Sequence, residues 1–294
     1  FGFATLGVLS RTAYDLGLSP MGFVTWRSGV AALAMLPLIW WGLRDGKRLV
    51  GWRSLSPRDR LALVVAALAG ASLDVTMFFA YARVPVAVVL LCFYLFPAMV
   101  AGASALLGWE RLDRLRGAAL VISLAGMVAV VMGGQGAAAI GGLDLLGVLL
   151  AIGSAVSQTV FVLVARRGYQ QVPTEQAMGF VLTVSTAVAI VIAIAGGVLD
   201  TVWKPFSSPG LLVLLLFGGL FGAGIPSFLF LAGVRWIGGV KAGILMLAQA
   251  PVGVALAAIF LDESIGPIQV AGGLAILAAA VIIQRSASTG PATG

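Results

Sequence analysis

The sequence predicts an all-α integral membrane protein of ten transmembrane helices, arranged as two inverted five-helix repeats. Three observations predict it. Hydrophobic residues make up 61% of the chain and charged residues only 10%, with a mean hydropathy of +1.09. A soluble domain is roughly 45–50% apolar and about 25% charged, so this composition cannot cover a soluble surface. The apolar residues fall into ten runs, each near the roughly 20 residues that a bilayer crossing needs. Landmark residues also recur at a fixed distance: Pro173 follows Pro20 by 153 positions, Glu263 follows Glu110 by 153, and Pro251 follows Pro97 by 154.

The runs lie at about 2–17, 20–43, 60–83, 86–108, 112–133, 143–168, 174–198, 210–234, 240–261 and 267–285. Backbone groups in lipid must be satisfied within the segment, which makes these runs helices. A membrane β-barrel would alternate apolar and polar residues, and "LALVVAALAGA" (61–71) does not. The first run has the length of a signal peptide, but Arg11 interrupts its apolar core, so it reads as the first helix. Phe1 rather than Met leads the chain, which leaves room for residues ahead of it.

Lysine and arginine set the expected orientation. The loop after the second run holds Arg44, Lys47, Arg48, Arg53, Arg58 and Arg60. The even loops that follow hold Arg111, Arg114 and Arg116, then Arg166 and Arg167, then Arg235 and Lys241, and the tail holds Arg285. Odd loops carry only Arg83 and Lys204. Even loops and both termini are therefore expected in the cytoplasm. Five helices per half is an odd number, so the second half should enter the membrane upside down. Inverted repeats of this kind place a substrate site near the midplane, between the halves. The expected organisation is a first repeat at 1–133, an external linker at 134–142, a second repeat at 143–285 and a cytoplasmic tail at 286–294.

Two stretches repeat the same order of parts, "YLFPAMVAGASALLGWE" and "APVGVALAAIFLDE". Pro97 and Pro251 lack a backbone donor and clash with the preceding turn. They read as hinges in helices four and nine, against the plainer reading of static kinks. Glycines in "FGGLFGAGIP" and "ALAGAS" allow close helix contacts beside them. Glu110 and Glu263 each precede a helix start, where a carboxylate favours the positive helix end, so a capping role outweighs a coupling role.

Arg11 and Asp74 are ionisable groups inside runs, which are functional candidates by default. The expectation is that they pair with each other, with Asp15 as a second partner for Arg11 at i, i+4. Arg27 is expected to be structural. Polar groups in later runs are Ser154, Ser157, Gln158 and Thr159, Ser227 (153 positions beyond Asp74) and Gln249, two before Pro251. Met77, Tyr81 and Tyr94 add soft and aromatic surface. The candidate cavity set is Arg11, Asp74, Met77, Tyr81, Tyr94, Gln158, Ser227 and Gln249. Each can equally bond across helices without touching substrate.

Several classes drop out. No phosphate-binding G-x-x-x-x-G-K-[ST] loop occurs, so the chain contains no such ATP motor. With no histidine and one cysteine, Cys92, it has no intrachain disulfide framework and no Cys/His metal site. An intramembrane enzyme would need convergent acids, a nucleophile with its base, or a metal cluster. A channel fits less well than a carrier, because inverted halves with proline-broken helices serve alternating access.

The residues "SPMGFVTWRSGVAAL", "YLFPAMVAGASALLGWERL", "AVSQTVFVLVARRGY" and "APVGVALAAIFLDESI" resemble the drug/metabolite transporter superfamily, in its ten-helix EamA-type branch. "YLFP" is most similar to bacterial aromatic amino-acid exporters of the YddG type. Gln158 stands where members often carry Trp. The resemblance implies export of small metabolites across the bacterial inner membrane. An amino acid needs one or two polar contacts and apolar walls, which suits this chain better than a phosphorylated sugar or a cationic drug. Multidrug or other metabolite export in the same superfamily is the alternative. The implied partners are an amino-acid substrate and membrane lipid, with no nucleic acid, no metal and no cofactor, and the oligomeric state is left open, a monomer being compatible with it.

Overall fold

The structure is a computed structural model describing residues 2–46, 48–109, 114–132, 144–252, 255 and 266–288. Each of the ten predicted runs contains a helix, and no strand occurs among the described residues. In chain order these are α1 (Leu6–Asp15), entered through a short 3₁₀ turn, α2 (Pro20–Arg44), α3 (Pro57–Tyr81), α4 (Val86–Phe93), α5 (Phe96–Leu106), α6 (Arg114–Met132), α7 (Leu145–Arg167), α8 (Thr174–Ala195) and the short α9 (Leu199–Trp203). Then come α10 (Pro209–Phe217), a π-helical segment (Gly218–Gly224), α11 (Ile225–Ile237), α12 (Gly239–Leu247) and α13 (Pro267–Ser288). Among the described residues, six spans are long and apolar enough to cross a membrane, and three shorter apolar helices join them.

The starts follow from local chemistry. Ser19 Oγ accepts from Gly22 N at 3.0 Å and Pro20 takes the first position of α2. Ser56 Oγ accepts from Asp59 N at 3.1 Å ahead of Pro57 in α3. These caps satisfy donors that a helix start leaves bare, and proline there loses no bond.

Two predicted helices are broken. The fourth run divides at Tyr94–Leu95, one turn before Pro97, because Pro97 offers Phe93 no N–H. The ninth departs from helix at Ala248, one turn before Pro251. The eighth run extends beyond its expected end to Ile237, where Arg235 donates to the carbonyl oxygens of Val172 at 2.8 Å and Tyr169 at 3.3 Å. Glu110, Glu263, the linker at 134–142 and residues 289–294 of the tail lie outside the described residues.

Apolar side chains cover the outside of the bundle: Leu106 is 91% exposed and Trp236 85%. Such a surface suits lipid. Helices approach through small residues. A Cβ on Gly126 would lie 2.7 Å from the carbonyl oxygen of Gly272, so α6 and α13 meet backbone to backbone. α2 packs on α8 and on the π segment, and α3 on α7 and α8.

Loop contacts sort the connections into two ends. The N-cap and first turns of α2 meet α9 through Ser19 and Thr201 (2.6 Å) and through Trp26 Nε1 donating to the Val202 carbonyl (2.7 Å). Arg83 joins Asp144 at 2.8 Å, linking the connection after α3 to the start of α7. On the remaining side Gln176 exchanges two hydrogen bonds with Val50, and Asp59 accepts from Tyr169 N at 3.0 Å and from Gln171 at 3.0 Å.

Candidate functional site

The longest helices place the polar side chains. Arg27 lies seven residues after Pro20, and Asp74 lies seven before Tyr81. At 1.5 Å per residue, both sit roughly 10 Å from the same end of two neighbouring helices. They form a buried ion pair, Arg27 Nη2 to Asp74 Oδ1. Ser28 donates to Asp74 Oδ2 at 3.2 Å, and Ser185 of α8 donates to the same oxygen. The Arg27 guanidinium also lies over Phe78, with Cζ 5.1 Å from the ring centroid. Arg27 is 5% exposed and Asp74 8%. At such depth each charge needs its partner, since an unpaired buried ion costs several kcal/mol, on the order of 3–5.

The pair opens onto a cavity of about 100 Å³. Its polar groups are Arg27, Asp74, Gln158, Ser185, Ser227 and Gln249. Aromatic, thioether and aliphatic side chains supply the remaining wall, among them Met77, Tyr81, Phe93, Phe161, Leu182 and Met246. Both halves contribute. Asp74 and Ser227, which are 153 positions apart, line the same space.

Tyr94 is buried and its hydroxyl accepts from Gln249 Nε2. Tyr94 stands at the break before Pro97, and Gln249 two residues before Pro251, so the bond ties the two kinks together. Gly243 packs on Pro97, where a Cβ would come within 3.1 Å.

Of the predicted cavity residues, Asp74, Met77, Tyr81, Gln158, Ser227 and Gln249 line the cavity, and Tyr94 is bonded to it through Gln249. Arg11 does not. The expected Arg11–Asp74 pair is absent, Asp74 being held by Arg27, and Arg11 makes no ion pair with Asp15. The reason is helical phase. α1 buries Leu6, Gly7, Ser10 and Ala13, and Arg11 is one residue, about 100°, beyond Ser10, on the exposed side. It is four residues from the helix end, within reach of the interface for a long side chain. Arg27, expected to be structural only, reaches the cavity. Ser28 and Ser185 were not singled out from the sequence. The equal depth of Arg27 and Asp74 in consecutive antiparallel helices is the signal that points to their pairing. Ser154 and Thr159 bond to the carbonyls of Ala151 and Ala155 within α7, and Ser157 bonds to Ser72 of α3 at 3.0 Å.

The model of the EamA-like transporter family matches residues 1–132 and 145–285. The chain belongs to the EamA-like transporter family. Its fold is thereby the ten-helix, two-repeat membrane fold of this family. A solved structure whose title reads "Crystal structure of protein" is 21% identical, covering 98% of this chain and 94% of its own, with a TM-score of 0.76. That likeness concerns the fold. None of the curated proteins compared matches the chain. As an EamA-like transporter, it holds its central cavity between the two matched halves: Asp74 falls in the first and Gln158, Ser185, Ser227 and Gln249 in the second.

Proposed function

We propose that the protein is a secondary transporter exporting neutral or aromatic amino acids across the bacterial inner membrane by alternating access. The cavity carries this reading: it is mostly apolar, its few polar groups converge from both halves, and one of them is a cation. A small zwitterion with an apolar side chain suits such walls. The halves are inserted in opposite orientations, with both termini cytoplasmic. Helices four and nine bend at Pro97 and Pro251 as access alternates, and the Tyr94–Gln249 bond couples the two bends.

The test is counterflow in proteoliposomes. Labelled amino acids should enter vesicles preloaded with the same unlabelled compound and accumulate transiently, without chemical change. If no amino acid of a full panel exchanges, the substrate assignment is wrong.

A second reading is favoured by the thioethers of Met77, Met178 and Met246 in the wall. Methionine adapts its shape to varied ligands. Exchange of structurally unrelated apolar compounds with similar KM values would support multidrug export instead.

A further inference from the structure

The Arg27 guanidinium is held in place without being saturated. Arginine offers five N–H donors. Nη2 donates to Asp74 Oδ1 and, at 3.4 Å, to Ser28 Oγ. Nε is buried without an acceptor, and no hydrogen bond forms at Nη1 among the described residues. The side chain is about nineteen-twentieths buried, being 5% exposed, yet it lines the cavity. A bare guanidinium donor at such depth calls for an anionic oxygen.

Asp74 is in the opposite condition. Its two oxygens accept from Arg27, Ser28 and Ser185. It is the only carboxylate lining the cavity among the described residues, and it is already engaged by the protein. A substrate's ammonium therefore has no free anion to meet. It meets amides instead. Gln249 uses Nε2 on Tyr94, which leaves its Oε1 as an acceptor, and Gln158 has no hydrogen bond among the described residues.

The geometry points to Arg27 as the receptor of the substrate's carboxylate, with Asp74, Ser28 and Ser185 as positioning residues that hold the guanidinium in place. This inference rests on the amino-acid exporter reading and sharpens it. The carboxylate is the group recognised, the ammonium contributes little, and amines lacking a carboxylate are rejected.

The experiment uses the full chain and labelled phenylalanine counterflow. Two competitors are compared: 3-phenylpropanoate, which lacks the ammonium, and 2-phenylethylamine, which lacks the carboxylate. 3-Phenylpropanoate should inhibit within about tenfold of phenylalanine itself, while the amine should be weaker by tenfold or more, a difference of at least about 1.4 kcal/mol. Arg27→Gln should raise KM about tenfold or more and abolish the ranking of the competitors. Arg27→Lys keeps the charge and should restore part of the affinity. Ser185→Ala loosens the pair without removing a charge, and it should raise KM while kcat changes less.

Binding is read separately as the rise in Tm of the purified protein with each of the three compounds, which needs no transport. A rise with 3-phenylpropanoate and none with the amine, in the absence of phenylalanine exchange, would sink the exporter reading and keep the carboxylate site. Exchange in which the amine competes as well as 3-phenylpropanoate would keep the exporter and overturn the site. A rise in Tm with neither competitor would overturn it too.

Discussion

At the scale of single residues, Arg27 and Asp74 decide most. Asp74→Leu leaves a guanidinium unpaired at membrane depth, with Phe78 as its remaining neighbour besides Ser28. A loss of about 3–5 kcal/mol is expected, seen as a lower Tm in detergent. The double variant Arg27→Leu/Asp74→Leu should recover much of that loss, because an apolar replacement of a buried pair is close to neutral. It should not recover substrate affinity. A double variant no more stable than Asp74→Leu would show that the pair is not the unit of stability. The presence of a deep cation and anion is legible in the sequence, but not which arginine meets Asp74. Arg11 and Arg27 both read as deep arginines, and only the phase of α1 about its axis separates them. Phase depends on which face finds a neighbour, here Leu6, Gly7, Ser10 and Ala13. One short helix does not reveal that in its sequence.

Among elements, the two breaks were legible and the π segment was not. Proline removes a donor wherever it stands, so Pro97 and Pro251 could be read directly. The π segment Gly218–Gly224 instead depends on packing against α2. A Cβ on Gly219 would lie 2.5 Å from Val30 Cβ and 3.2 Å from the Arg27 carbonyl oxygen. Val30 cannot swing its own Cβ aside, so Gly219→Ala should destabilise by about 1–3 kcal/mol. It should also raise KM, since the same seam carries Arg27; a variant with unchanged Tm and KM would refute both expectations. For the breaks, Pro97→Ala and Pro251→Ala restore a backbone donor and favour straight helices. Folded protein with slowed counterflow is expected from each. Wild-type rates in both single variants and in the double variant would mean that the kinks are static.

For the whole molecule, the ten-helix order was legible because lipid leaves a segment few choices: it must be about 20 residues long, apolar and helical. The tertiary seams were less so, since apolar faces toward lipid and toward neighbours look alike in sequence. An ion pair is among the surface contacts that tie the halves together. Arg83 donates to Asp144 at 2.8 Å, and Asp144 also caps α7 by accepting from Leu146 N at 2.9 Å. The Arg83 hydrogen bond and that backbone N–H hold the Asp144 carboxyl below its ordinary value of 3.8. A depressed carboxylate pKa adds stability above the unfolded value, and the contribution disappears as pH falls through the folded one. Asp144→Asn keeps the cap and loses the charge. Its small deficit in Tm relative to wild type should therefore persist at pH 7 and close below about pH 3.8. A deficit that stays constant to low pH would mean that Arg83 adds nothing.

Orientation is the largest-scale expectation, and it follows from the same asymmetry of charge. Lysine and arginine crowd the connections after the even-numbered of the ten apolar runs, while Arg83 and Lys204 are the only ones in the connections after odd-numbered runs. Both of those odd-loop cations are engaged by the protein: Arg83 by Asp144, and Lys204 by the Gly17 carbonyl at 3.4 Å. They are therefore weaker competitors for orientation than their number implies. Single cysteines in a Cys92→Ser background separate the two ends. A cysteine at Gly136, in the stretch between the halves that holds no lysine or arginine, should react in intact cells with a membrane-impermeant maleimide. A cysteine at Gly46, in the arginine-rich connection after α2, should react only after lysis. The reverse pattern would place the termini outside and overturn the expected topology. Labelling of both sites in intact cells would mean that the chain inserts in two orientations, which the six cationic residues from Arg44 to Arg60 argue against.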